Sequence, residues 1–583
     1  NYVYSNKDTF CTPGHMGGNA FTKTPLGGLF YDFYGPNIFK GDISISVTEL
    51  GSLLDHSGAH LKAEKFIAKA YGSDRAYIVT NGTSTSNKIV GTFAARSHET
   101  ILVDRNCHKS IAHMMIMNNV TPIYLKPSRN AYGIIGGISK SELSKESIEN
   151  KIKLTKGAEK PNYCVITNST YDGLFYNTDH LKEINVKYLH LDSAWVPYTA
   201  FHKIYDRVHG FNKDTILKDK VIFETQSTHK LLAAFSQAST INIKGNIDHK
   251  VFNEAYMMHS STSPQYSITA STELAVAMIN SKPGRTLLND VIELSVAFRK
   301  KIKEFKNKLN KELQNPFKNS WFFDVWQPED IIEPKCWELK PNESWHGFSN
   351  IDSDHIFLDP IKITLLTPGI SASREFLEEG IPASIIAKYL DYKGIIVEKT
   401  GPYTLLFLFS IGVNKTISTQ LLQALVNFKI GYDNNLTIKE FIPSLYEEDP
   451  DFYEGMLIQD LALNIHKLMK ENNLIDLMYN AFEYMPKMVL NPHYAYQEEL
   501  KGNTKEVSLD NLLGKVSANM ILPYPPGVPM VMPGEMVTQE SIYIIEFLKM
   551  LCDIGSKFPG FETDIHGVYQ KNGSYFVKII ENI

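Results

Sequence analysis

Lys220-Val-Ile-Phe-Glu-Thr-Gln-Ser-Thr-His-Lys230-Leu-Leu-Ala-Ala234 opens as a short apolar run and passes through polar residues to a lysine. A run of this length, bounded by turn-forming residues, reads as a buried strand. A lysine directly after Ser227-Thr-His229, at such a strand's end, has the setting of an amine nucleophile toward an aldehyde cofactor. Most lysines are solvated surface charges. Lys230 therefore gains its meaning from what stands at the other strand ends.

Outward from this stretch, residues 60–245 alternate helix and strand. Ala59–Tyr71 reads as a helix ended by Gly72, followed by a strand at Ala76–Thr80, a turn at Asn81–Ser86 and a helix from about Asn87. Further apolar strands are expected at Thr100–Asp104, Val120–Leu125, Tyr163–Asn168, Lys187–Asp192 and Lys220–Glu224. Strands separated by helices predict a mostly parallel sheet covered on both faces. In such sheets ligands bind beyond the carboxyl ends of the strands.

A long amphipathic helix follows, with Val291, Leu294, Phe298, Ile302, Phe305 and Leu309 on one stripe and an end near Asn315-Pro316. Beyond it, Trp321–Trp326, Ile361–Leu366, Gly394–Glu398 and Leu405–Ser410 read as strands of a smaller α+β domain. From about residue 430 a mostly helical region leads to the extended Tyr524-Pro-Pro-Gly527. The expected division is an N-terminal segment over 1–46, a large domain over 47–280 and a C-terminal α+β domain over 281–583, with a subdivision near 430.

Four strand ends carry chemistry. Gly82-Thr-Ser84-Thr85 runs into a helix, where amides and hydroxyls form an anion cup; alone, it is as readily a Ser/Thr cap. His108 follows Asp104-Arg-Asn-Cys, where an imidazole can stack on an aromatic ring or simply open a helix. Asp192, in His190-Leu-Asp-Ser-Ala194-Trp195, ends an apolar strand and is costly to bury unless it meets a cation. A pyridinium N–H supplies one, and the carboxylate keeps that nitrogen protonated. Lys230, with Ser227 and His229, completes the set. Together these residues call for pyridoxal 5'-phosphate.

Composition narrows the rest. A chain of 583 residues with 43% hydrophobic and 21% charged residues is that of an ordinary globular protein. Its net charge of −5 argues against a nucleic-acid partner. Cys11, Cys107, Cys164, Cys336 and Cys552 are scattered with no CxxC pair, so neither a zinc ribbon nor a disulfide framework is expected. His56 and His60 have metal-binding spacing but no third ligand, and read as structural. No apolar run is long enough to span a bilayer, and no secretion signal is seen, so the expected location is cytoplasmic.

The chain resembles the bacterial Orn/Lys/Arg decarboxylases, whose aminotransferase-like fold is PLP fold type I, and among them the inducible lysine decarboxylases. The resemblance rests on Thr12-Pro-Gly-His-Met-Gly-Gly18, Asp55-His-Ser-Gly58, Asn81-Gly-Thr-Ser-Thr85, Asp104-Arg-Asn-Cys-His-Lys109, Asp192-Ser-Ala-Trp195, Thr225-Gln-Ser-Thr-His-Lys230, Thr262-Ser-Pro264 and Tyr524-Pro-Pro-Gly527. It implies that Lys230 forms the internal aldimine and that Asp192 pairs with the pyridine nitrogen. Ala194 and His108 then flank the ring, while Ser84, Thr85, Ser227 and His229 hold or adjoin the phosphate. Ser261 would reach the phosphate of a neighbouring subunit. The family has threonine there, so Thr262 is the alternative.

An acidic group must meet the distal cation of a basic amino acid. Glu398, in Ile396-Val-Glu-Lys-Thr-Gly-Pro-Tyr403, is assigned to it, with Trp195 also at the substrate. The implied reaction is decarboxylation of L-lysine to cadaverine through an external aldimine and a quinonoid, Lys230 or His229 returning the proton. Ornithine or arginine decarboxylation is the alternative within the family, and a catalytically silent binding protein the alternative outside it. The family's N-terminal wing would precede the first residue here, so a homodimer is expected rather than the large rings a wing helps to join.

Overall fold

The computed structural model describes residues 2–5, 10–43, 48–211, 219–312, 321–524, 527–581 and 583, with the side chains of 310–312 excluded. The expected helix end at Asn315-Pro316, the boundary between residues 46 and 47, and the two prolines of Tyr524-Pro-Pro-Gly527 lie outside the described residues. Two compact units form. The first comprises Asn1–Arg96, Asn162–Asn168 and Val186–Leu288; the second comprises Ser97–Pro161, Ser169–Asn185 and Asn289–Ile583.

In the first unit five strands matter: β1 (Arg75–Val79), β2 (Tyr163–Thr167), β3 (Tyr188–Asp192), β4 (Val221–Gln226) and β5 (Ser239–Lys244). They run in the order β1-β5-β4-β3-β2. β2, β3 and β4 pair in parallel, and β5 pairs antiparallel with both β4 and β1. Four of the five strands therefore point one way, and their carboxyl ends share an edge. All six residues of β4 are buried, as a strand covered on both faces requires. The polar ones find partners inside: Glu224 Oε1 accepts from Ser193 Oγ at 2.8 Å.

Helix α1 (Gly58–Tyr71) ends on Gly72, whose φ of 75° provides the left-handed cap expected there. Helix α2 (Gly82–Ala94) starts at Gly82, five residues before the expected Asn87. Ser and Thr are weak helix formers, but here tertiary hydrogen bonds override propensity. Thr83 Oγ1 lies 2.7 Å from Ser227 Oγ and 3.0 Å from Ser239 Oγ, and Ser86 Oγ lies 2.8 Å from Ser239 Oγ. The short helix α3 (Thr228–Leu231) carries His229 and Lys230 directly after β4.

In the second unit Thr100–Asp104 and Thr121–Leu125 pair in parallel. A four-stranded sheet joins Asp324–Val325, Lys362–Leu366, Thr404–Leu408 and Lys399–Thr400 in that order. Gly394–Glu398 is not a strand. The helix Ala383–Tyr392 runs almost to it, Gly394 turns the chain at φ 77°, and pairing begins only at Lys399. The region after residue 430 is mostly helical as far as Leu500, with a short strand at Lys487–Met488. It then adds an antiparallel sheet of Thr504–Ser508, Ser574–Ile580 and Val568–Lys571, which the sequence reading lacked. The long helix spans Lys282–Glu312 and buries Val291, Phe298 and Ile302.

Candidate active site

The edge where β1, β3 and β4 end gathers most of the expected residues. The Lys230 amine rests on the face of Trp195, with Nζ 3.7 Å from the ring centroid. Lys230 stands on α3 directly after β4, and Trp195 on the turn after β3. A cation over an indole is favourable, more so where water is scarce, and both side chains are half-buried.

Asp192, the last residue of β3, is 4% exposed. Its Oδ2 accepts from Asn87 Nδ2 at 2.8 Å and its Oδ1 from the Ala194 amide at 3.3 Å. Asn87 Oδ1 in turn accepts from Thr225 Oγ1 at 2.7 Å, and Thr225 is the β4 residue directly beside Asp192. Behind it, His190 Nε2 lies 2.9 Å from Thr225 Oγ1 and His190 Nδ1 lies 2.7 Å from Tyr163 Oη. Burial raises the Asp192 carboxyl above its ordinary value, while the Asn87 bond and the Lys230 charge pull the other way. Burial also pushes His190 down to about 3, so this relay holds a neutral imidazole.

His229 donates from Nδ1 to the Ala238 carbonyl at 2.8 Å, which leaves Nε2 with the lone pair in the neutral ring. Burial lowers its pKa, with the Lys230 charge acting in the same direction. Ser227 shares its hydroxyl with Thr83 at 2.7 Å. At the amino end of α2, Gly82 (φ 72°) donates to the Gln237 carbonyl at 2.8 Å. Ser84 is exposed, and Thr85 is buried and bonded to Asn81 Nδ2 at 2.9 Å. Thr228 Oγ1 is buried with no partner among the described residues. Ala194 is half-buried.

Ser261 and Thr262 are exposed, and Ser261 Oγ accepts from the Ser263 amide at 3.0 Å. His56 Nδ1 lies 2.9 Å from the Glu64 carboxylate and its Nε2 2.7 Å from Asn253 Oδ1, which gives it a structural role. Among the described residues no cluster of His, Cys, Asp and Glu could hold a metal, and no helix is long and apolar enough to cross a membrane.

Two expected residues belong to the second unit. His108 is exposed and caps the helix Lys109–Asn118, its Nδ1 accepting from the Ser110 amide at 3.2 Å. Glu398 accepts a 2.7 Å bond from Tyr171 Oη, and its neighbour Lys399 places Nζ 2.6 Å from both oxygens of the buried Asp172. Consecutive residues 171–172 and 398–399 thus brace each other.

Sequence reasoning missed Asn87, Thr225, His190, Thr83 and Tyr171. His190 was legible: at i−2 from Asp192 on a strand, it must share that residue's face.

Comparison with known proteins identifies the family. Residues 1–417 match the family described as Orn/Lys/Arg decarboxylase, major domain, and residues 475–581 match its C-terminal domain. The chain belongs to the Orn/Lys/Arg decarboxylase family. It is 59% identical to a lysine decarboxylase of Hafnia alvei over 583 residues, which is 100% of this chain and 78% of that protein. Identity to the inducible lysine decarboxylase of Escherichia coli K12 is 58%, covering 100% and 80% of the two chains. The solved lysine decarboxylase LdcF of Francisella novicida superposes with a TM-score of 0.95 at 52% identity, over 100% of this chain and 80% of that one. More distant are an arginine decarboxylase of E. coli K12 at 38% and an ornithine decarboxylase of Haemophilus influenzae at 34%, aligned over 97–98% of this chain. The expected fold, a PLP fold type I α/β domain with a C-terminal α+β part, is borne out.

Proposed function

We propose that this protein is a lysine decarboxylase that converts L-lysine to cadaverine and carbon dioxide with pyridoxal 5'-phosphate bound at Lys230. The observation that carries the reading is the pairing at one sheet edge of a half-buried amine with a buried carboxylate held by Asn87. The residues fit the cofactor. Burial disfavours the charge on Asp192, and a pyridinium N–H would relieve that cost. The amino end of α2, with Ser84, Thr85 and Ser227, offers donors to a phosphate, and Thr228 keeps a buried hydroxyl in reserve.

When bound, the cofactor's protonated ring takes up the electron pair left at Cα as carbon dioxide departs. The protein's own residues do the rest. Lys230 would hold the cofactor through its amine and give way to the substrate's α-amine. Asp192, fixed by Asn87, holds the ring nitrogen protonated. Ala194 and His108 would help to hold the cofactor's ring, and Ser261 or Thr262 the phosphate of a second copy in a homodimer. Trp195, freed of the lysine amine, faces the substrate. Lys230 Nζ or His229 Nε2 returns a proton to Cα. The reaction consumes one proton, which suits a cytoplasmic enzyme of acid-stressed cells.

Glu398 receives the distal ammonium, and Tyr171 holds that carboxylate in place. A compact ammonium needs one acidic group, whereas a guanidinium fork wants a planar set of acceptors. Tyr171→Phe removes one hydrogen bond worth about 0.5–1.5 kcal/mol. We expect KM for lysine to rise by about two- to tenfold, with kcat little changed. A fall in kcat at constant KM would contradict this role.

Incubation of the cofactor-loaded protein with lysine, ornithine and arginine, followed by mass detection, tests the substrate. Cadaverine is the expected dominant product. Putrescine or agmatine in excess of it would overturn the assignment.

A further inference from the structure

The second unit contains a cavity of about 510 Å³ to which the reaction above assigns no ligand. Its walls are largely apolar, with Met469, Met478, Phe482, Phe547 and Leu551 among them. Into this setting the chain places Arg129. The guanidinium carbon lies 3.2 Å from the centroid of the Phe482 ring, so one face is stacked. Its five N–H groups make a single bond, a long one of 3.4 Å from Nη1 to the Gly133 carbonyl. Among the described residues no carboxylate forms an ion pair with Arg129 or with Lys388, a second cation on the wall.

A third cation on the wall, Lys399, is taken up by Asp172. Three cations and three carboxylates thus line the cavity, and Asp172, behind the lining, takes up one of the cations. The acidic residues on the lining, Asp391, Glu562 and Asp564, are exposed, where solvent and salt screen them. Loss of water lowers the Arg129 guanidinium to about 9, with Asp172 giving only partial relief. A desolvated guanidinium without a partner is unstable, and its planar fork matches the two oxygens of a carboxylate or phosphate. The volume lies within the roughly 300–1,000 Å³ of small-molecule sites, and apolar walls with a few directed polar groups are their usual lining.

We propose that this cavity binds a small organic anion, a carboxylate or phosphate group on an apolar body, with its charged oxygens on Arg129 and Lys388 adding to the field. Lys399 and Thr400 on the wall follow Glu398 directly in the chain, but the anion is not a reactant, so binding is read apart from turnover.

Titration calorimetry on the cofactor-loaded protein with octanoate, octyl phosphate and octyltrimethylammonium, a cation that cannot form an imine, tests the site. The expected result is one anion bound per chain, with octyltrimethylammonium not binding. Arg129→Met and Lys388→Met should each weaken the anion by about tenfold or more. Tighter octyl phosphate would mark a phosphate ligand and tighter octanoate a carboxylate, and either supports the proposal. The half-buried Lys388 keeps the test open if Arg129→Met does not fold. Failure of both anions to bind, octyltrimethylammonium binding as tightly as they do, or parent-like anion affinity in every variant that folds would overturn it.

Discussion

Lys230→Ala is expected to lower lysine turnover by at least about 10³-fold, because the substitution removes the one amine at the sheet edge that can hold and recapture the cofactor. The effect is chemical and not structural. Lys230 is half-buried on a four-residue helix, and its amine packs on Trp195 without filling a core position. The alanine protein should therefore fold with the parent's thermal midpoint in the absence of cofactor, and it should fail to turn yellow when pyridoxal phosphate is added. Activity and absorbance measured on one preparation decide the matter. A folded alanine variant that keeps both would contradict the assignment.

The second large loss is expected from Asp192→Asn. The amide is nearly the same shape, so the bond with Asn87 can be rebuilt by a flip, but the charge facing the ring nitrogen is gone. Removal of one preorganised electrostatic partner from such a site costs about 10²–10³ in kcat. The same change stabilises the cofactor-free protein. Burial raises the Asp192 carboxyl above its ordinary value, the Asn87 bond and Lys230 charge offsetting only part of the shift. A carboxyl with a raised folded pKa holds its proton more tightly in the folded chain. Stability therefore falls as pH rises from the ordinary carboxylate range through the folded value. Asparagine carries no such penalty. Calorimetry without cofactor should show the Asn variant melting above the parent at neutral pH, the gap closing as pH falls. A parent more stable at neutral pH would count against a strained, unneutralised Asp192.

Three strand ends were legible because each apolar run stops at a polar residue. Thr100–Asp104 matched residue for residue, while β3 and β4 were offset by one or two. The start of α2 was not legible, since Gly82-Thr-Ser-Thr-Ser has poor helix propensity and is held helical by hydroxyl bonds to residues more than 140 positions away. With the helix begun at Asn87, that side chain lost its face, and its bond to Asp192 across 105 residues had no local signal. Tyr171 and Glu398 meet across 227 residues in the same way. Gly394–Glu398 was misread because Ile395-Ile-Val397 is β-branched and apolar, whereas the preceding helix and Gly394 leave no room to pair. Periodicity reports which face of an element is buried, but not which distant polar group it meets.

The most direct measurement is borohydride reduction of the protein saturated with pyridoxal phosphate, followed by proteolysis and mass mapping of the fixed label. The account predicts a phosphopyridoxyl group on Lys230. A label fixed on a different lysine, or none at all on a folded protein, would contradict it.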